Sequence, residues 1–149
     1  MNRKNFLKGL LAVPAGFALR LQAAGSQVSV YKTPTCGCCG MWVAHMRKNG
    51  FDLNVQDVED TSPYRAKYGV PEKLGSCHTA VVEGYAIEGH VPAAEIQRML
   101  KERPNAKGLA VPGMVAGSPG MEGGTAQPYD VLLFTADGKS TVYQHYPRK

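Results

Sequence analysis

The sequence predicts a single α/β domain, and three observations carry that prediction. Apolar residues switch repeatedly between the two-residue period of strands and the 3.6-residue period of helices, glycine and proline punctuate each switch, and an Asp-Gly pair separates two alternating runs near the C-terminus. With 149 residues and no internal repeat, one compact core is the economical organisation.

The elements follow in order. Val28-Ser29-Val30-Tyr31 alternates as a short strand, and Pro34 breaks it. From Cys38 to Asn49 the period becomes helical, with Cys39, Trp42, Val43 and Met46 on one face and Gly50 as the stop. Phe51 to Val58 alternates again as a second strand. Ser62, as a candidate cap, and Pro63, at the first helical position, open a short helix that runs through Tyr68. Thr79 to Glu83 and Tyr85 to Glu88 form a strand pair about a tight turn at Gly84. Pro92 starts a helix to about Arg103, striped by Ala93, Ile96, Met99 and Leu100, and Pro104 ends it. Gly108 to Pro128 is rich in glycine and proline and is expected to be a long loop. Tyr129 to Thr135 and Ser140 to His145 flank Asp137-Gly138 as a closing hairpin. The order βαβ, short helix, ββα is that of a thioredoxin-like core with an added C-terminal hairpin.

The N-terminus reads as a targeting segment. Arg3 and Lys4 precede the apolar run Phe6 to Leu19, and the small residues Ala23, Ala24, Gly25 and Ser26 follow, which is the layout of a secretory signal peptide. About fourteen residues interrupted by Lys8 are too few for a membrane span, which needs roughly twenty apolar ones. The expected division is a leader over 1–24 and a domain over 25–149, exported to the periplasm and without a stable membrane span. Of the formal net charge of +5, four units (Arg3, Lys4, Lys8 and Arg20) belong to the leader, which has no acidic residue. The remainder carries +1, so no nucleic-acid partner is implied.

All four cysteines fall in two places, Cys36-Gly37-Cys38-Cys39 and Cys77-His78. The first lies between a strand and a helix, and Cys36 and Cys39 have the C-x-x-C redox spacing. Amides at a helix N-terminus favour thiolate, the form that binds metal or attacks a disulfide. Cys39 points toward the apolar face, Cys38 lies about 100° away from it, and Cys36 precedes the helix. Two features turn this motif from plain dithiol chemistry toward metal. Cys38 has no role in a two-cysteine exchange, and Cys77-His78 stands where thioredoxins hold a cis proline that helps to keep metals away. Sulfur-rich sites favour Cu(I), zinc or iron-sulfur clusters, and bridging thiolates can gather more than one ion. Two structural disulfides are the other fate of four exported cysteines, and adjacent Cys38 and Cys39 suit that poorly.

Further soft donors flank the motif. Met114 and Met121 lie in the glycine-rich loop and are candidate thioether ligands or loop anchors. Met46, Met99 and Trp42 sit on apolar helical faces and are expected in the core. Met41 and His45 share a flank with Cys38, but His45 lies about 10 Å along the helix from it, too far for shared ligation. His90 either lines the site or caps local backbone. His145 is expected at the surface. Gly117 to Gly124 lacks the Lys-Ser/Thr ending of a phosphate loop, and there is no H-E-x-x-H.

The motifs Thr33-Pro34-Thr35-Cys36-Gly37-Cys38-Cys39, Ser76-Cys77-His78-Thr79, Glu88-Gly89-His90-Val91-Pro92, Gly108-Leu109-Ala110-Val111-Pro112-Gly113-Met114 and Gly117-Ser118-Pro119-Gly120-Met121-Glu122 occur in this order. Together they resemble the CopG-type periplasmic copper-resistance proteins, a family distinct from the ribbon-helix-helix repressor of the same name. The resemblance spans about residues 28–147. It implies a thioredoxin-like fold, periplasmic export and a cysteine-bridged multinuclear copper centre with Cu(I)/Cu(II) interconversion. By position, Cys36, Cys38, Cys39 and Cys77 are then sulfur ligands, and His78 is the nearest imidazole.

The expected function is Cu(I) binding in copper resistance or transfer, with copper ions and periplasmic copper carriers or exporters as partners. The rivals are a thiol-disulfide oxidoreductase with Cys36 attacking and Cys39 resolving, and a zinc-stabilised module.

Overall fold

The computed structural model describes residues 25–148, so the expected leader over 1–24 lies outside the described residues. The elements run β1 (Gln27–Lys32), α1 (Gly37–Lys48), β2 (Asp52–Asp57), α2 (Ser62–Lys67), a 3-10 turn (Glu72–Leu74), β3 (His78–Val82), β4 (Tyr85–Glu88), α3 (Ala93–Glu102), β5 (Gly108–Ala110), β6 (Tyr129–Phe134) and β7 (Ser140–Tyr146). The strands form one mixed sheet in the order β2-β1-β3-β4-β5-β6-β7. Among the described residues, no helix is long and apolar enough to cross a membrane.

Local chemistry explains the first half. β1 and β2 are parallel, a pairing that requires a crossover, and α1 supplies it. The expected face of α1, Cys39, Trp42, Val43 and Met46, is buried. Trp42 is wholly enclosed, and its Nε1 donates to the Val91 carbonyl at 2.8 Å, so its one polar atom is satisfied. β3 runs antiparallel to β1, with Lys32 opposite His78. The β3–β4 turn places both Glu83 and Gly84 at positive φ, the backbone twist that suits a two-residue hairpin.

Two expectations are corrected. Ser62 is the first helical residue of α2 rather than its cap: Thr61 is the N-cap, and the Asp60 carboxylate accepts from the Ser62 N–H at 2.9 Å. The segment expected to be a loop from Gly108 begins as β5, parallel to β4 and antiparallel to β6. Three residues that include glycine are too short to show a strand period. Their pairing is set by backbone proximity, since a Cβ on Gly108 would fall 1.8 Å from the Ala86 carbonyl oxygen. β5 thereby joins the C-terminal hairpin to the sheet.

Alternation along β4 and β5 separates two apolar clusters. The larger unites Val28, Val30 and Ile87 with α1 and with Ile96 and Met99 of α3. The smaller gathers Val70, Leu74, Ala86, Ala110 and Phe134. Where α1 meets α3, His45 Nε2 accepts from the Ala93 N–H at 3.0 Å, satisfying a free amide of the first turn of α3.

That contact needs neutral imidazole, and burial, the main influence, lowers the His45 pKa below its ordinary 6.5. A group whose protonation is suppressed by folding contributes stability that is complete above 6.5 and declines as pH falls from there through the folded value. Replacing His45 by Gln is expected to shrink the loss of melting temperature between neutral and mildly acidic pH. Superimposable pH profiles for the two proteins would refute this role.

Candidate metal centre

The first cysteine group surrounds the N-terminus of α1. Cys36 occupies the N-cap with extended backbone, Cys38 and Cys39 lie in the first turn, and no acidic side chain opposes thiolate there. Cys36 and Cys39 are joined by a disulfide, whereas Cys38 and Cys77 are free and half-buried. The Sγ atoms of Cys36 and Cys38 are 3.5 Å apart. Cys77 approaches from the residue preceding β3, and all four sulfurs lie within 4.8 Å of one another.

An imidazole pair completes a second group around Cys77. His90 Nε2 is 3.0 Å from Cys77 Sγ, and His78 Nδ1 is 3.5 Å from it. His90 Nδ1 is 2.7 Å from the Pro119 carbonyl, an acceptor that sets the proton on Nδ1 and leaves the Nε2 lone pair facing the sulfur. His78 is fully buried, its ring 4.3 Å from that of Trp42, and its Nε2 has no hydrogen-bond partner among the described residues. Burial above all, then His90 and Lys32, pushes the His78 pKa down to about 3, so this ring stays neutral. Burial chiefly, followed by the neighbouring Cys38 thiol, pushes Cys77 up to about 12, and its sulfur carries a proton in the metal-free protein.

The methionines divide. Met114 is 58% exposed, and its Sδ lies 4.0 Å from Cys38 Sγ, within reach of the sulfur group. Met121 closes a turn through its backbone, donating to Ser118 and accepting from Gly117, and among the described residues its Sδ accepts no hydrogen bond from a thiol. Met41 is exposed, Met46 and Met99 are in the core, and His145 is on the surface, paired with Asp130.

The sequence left the place of His90 open, and a signal for it was present. With Thr79 opposite Glu88 in the β3–β4 hairpin, two further residues along each strand bring Cys77 opposite His90. The loop over the site is seated by close backbone approach. Gly120, at φ +89°, lies where a Cβ would come 2.8 Å from both the Cys38 carbonyl oxygen and the Trp42 nitrogen.

A family model described as a protein of unknown function, DUF411, matches residues 74–121, a span that includes Cys77, His78, His90, Met114 and Met121. Two solved structures, named copper resistance protein copG Form 2 and Form 1, are each 43% identical to this chain and cover 83% of it. The match spans 99% and 98% of those chains, with TM-scores of 0.78 and 0.77. No curated protein matches the chain.

Gly120→Ala is expected to lift the loop from α1, costing about 1–3 kcal/mol of stability by overpacking and ending the single Nδ1–H tautomer of His90. Urea denaturation and nitrogen NMR of the imidazole check this, and wild-type behaviour in both would show that the glycine is not required.

Proposed function

Because the chain belongs to the family of the copper-resistance protein CopG, we propose that it binds Cu(I) for copper resistance or transfer, through a cysteine-bridged cluster of more than one ion. The observation that carries the reading is the convergence of four sulfurs within 4.8 Å, with the His90 Nε2 lone pair 3.0 Å from one of them. Sulfur donors with imidazole suit Cu(I), and a thiolate can be shared between ions.

In this reading Cys36, Cys38, Cys39 and Cys77 are the sulfur ligands, and Met114 adds a thioether at the exposed side. His90 is the better-directed imidazole. His78 is the second, at a longer distance from Cys77, and Met121 is a candidate thioether in the loop that rests on His90 and α1. Opening the Cys36–Cys39 disulfide by two electrons and two protons yields two thiols, so full loading requires a reductant. Metal then displaces the thiol protons, and binding releases acid. Cycling of bound copper between Cu(I) and Cu(II) belongs to the same proposal.

The domain over 25–149 is proposed to be a thioredoxin-like core extended by β5, β6 and β7, and to act in the periplasm after removal of 1–24. Copper carriers or exporters of that compartment are its proposed partners. The Cys36–Cys39 disulfide at a helix N-terminus specifically favours a second reading, thiol-disulfide exchange with Cys36 as the attacking thiol.

The test is metal analysis of anaerobically reduced protein loaded with copper, together with X-ray absorption for copper–sulfur and copper–copper distances. Cys38→Ser and Cys77→Ser are each expected to lower the number of copper ions bound, and Cys38→Ser should leave disulfide exchange intact. Full copper stoichiometry in both variants would refute a shared cluster, and uptake of a single zinc with no copper would refute the copper assignment. The double change Met114→Leu, Met121→Leu is expected to weaken Cu(I) binding about tenfold, equal to about 1.4 kcal/mol, without changing the ion count. Unchanged affinity would return both methionines to packing.

A further inference from the structure

A buried ion pair lies behind Cys77, the residue that precedes β3. Glu88 is fully buried at the end of β4, and its Oε1 accepts from Arg65 Nε at 2.9 Å and from the Ser76 N–H at 2.8 Å. Its Oε2 accepts from the Thr79 hydroxyl at 2.6 Å. Arg65, itself buried on α2, donates through Nη2 to the Ser76 carbonyl at 2.9 Å. Both backbone polar groups of Ser76 are therefore held by one Arg–Glu fork, immediately before Cys77. A lysine has the charge for the pair but not the planar geometry that reaches Glu88 and the Ser76 carbonyl together.

The same residue is tied to the loop that bears Met114. The Ser76 hydroxyl donates to the Gly113 carbonyl, and the Gly113 N–H donates to the Gly75 carbonyl at 3.1 Å. Gly89 leaves room for this contact, since a Cβ there would meet the Ser76 side chain and the Val111 carbonyl.

The geometry points to Arg65 and Glu88 as positioning residues that hold Ser76, and through it Cys77 and Gly113-Met114, in the arrangement needed to share metal with Cys36, Cys38 and Cys39. This rests on the copper reading above. It extends that reading from the donor atoms to the pair that orients two of the donors from behind. A buried pair costs desolvation of both charges and is by itself weak support for stability, whereas partners behind metal ligands commonly matter to affinity. Glu72 faces the outer side of Arg65 at 3.5 Å and is exposed, so it adds little to the hold on Ser76.

Three variants test the role: Arg65→Lys, the apolar double change Arg65→Met with Glu88→Leu, and Glu88→Gln. Glu88→Gln keeps an acceptor for Arg65 and Ser76. The measurements are cooperative melting, Cu(I) affinity by chelator competition, and the alkylation rate of Cys77 in metal-free protein carrying Cys38→Ser, with the Cys36–Cys39 disulfide intact. Arg65→Lys and the double variant are expected to melt cooperatively, to bind Cu(I) about 10- to 100-fold more weakly, and to expose Cys77 to faster alkylation. Glu88→Gln, which keeps the acceptor but leaves the Arg65 guanidinium buried without its counter-charge, is expected to melt at a lower temperature and to fall between wild type and Arg65→Lys in Cu(I) affinity and Cys77 alkylation. Folded Arg65→Lys protein with wild-type affinity and Cys77 reactivity would overturn the inference. An unfolded Arg65→Lys protein would overturn it as well, by making the pair a requirement of folding. Failure of the wild-type protein to take up Cu(I) would refute the copper reading, and the alkylation arm would still decide whether the pair positions Cys77.

Discussion

The antiparallel pairing of β1 with β3 is the constraint on which the site depends. Its register sets Lys32 opposite His78, so the loop leaving β1 and the chain entering β3 emerge at the same end of the sheet. Cys36 follows Lys32 by four residues and Cys77 precedes His78 by one. The two cysteine groups, forty residues apart in the chain, are therefore neighbours by backbone hydrogen bonding. The β3–β4 hairpin then adds His90 beside Cys77 by the same logic. A one-residue slip in either pairing would reverse the faces of the strand and scatter the donors.

Around that frame, polarity and packing are arranged unequally. Cys39 and Trp42 are buried, and the floor of the site is dense and apolar, closed by Trp42 and His78 in contact. Met114 faces outward. The sulfurs grade inward, from exposed Met114 through half-buried Cys36, Cys38 and Cys77 to enclosed Cys39. The buried imidazoles are kept neutral by desolvation, the state in which a ring nitrogen can ligate.

The segment from Gly113 to Met121 covers one side of this arrangement and is held at both ends. Gly113 is bound to Gly75 and Ser76, and Pro119-Gly120 rests on His90 and the first turn of α1. Its glycines serve two separate needs there: Gly113 and Gly120 adopt positive φ, and Gly120 also permits contact with the backbone of α1. A cover made in this way is defined by backbone contact, and few of its own side chains enter the core.

Much of this was legible in the order of residues. Period and punctuation identified six of the seven strands and all three helices: α1, α3 and the strands contain enough apolar residues to declare a period, and α2 was marked by Ser62-Pro63 at its start. The clustering of cysteines around Cys38 and the Cys77-His78 pair pointed to metal binding or thiol-disulfide chemistry, the two uses of such residues at a strand-to-helix junction. Three matters were decided by the tertiary structure alone. β5 exists because Gly108–Ala110 is flanked by two strands in space, and three residues carry no period of their own. The orientation of His90 toward Cys77 follows from the Pro119 carbonyl that fixes its ring, a contact across 29 residues that hairpin register does not supply. The Arg65–Glu88 hold on Ser76 joins α2, β4 and the approach to β3, residues that share no local pattern. Local periodicity reports what a segment buries, whereas the partner of a buried polar group is fixed by which segments the sheet brings together.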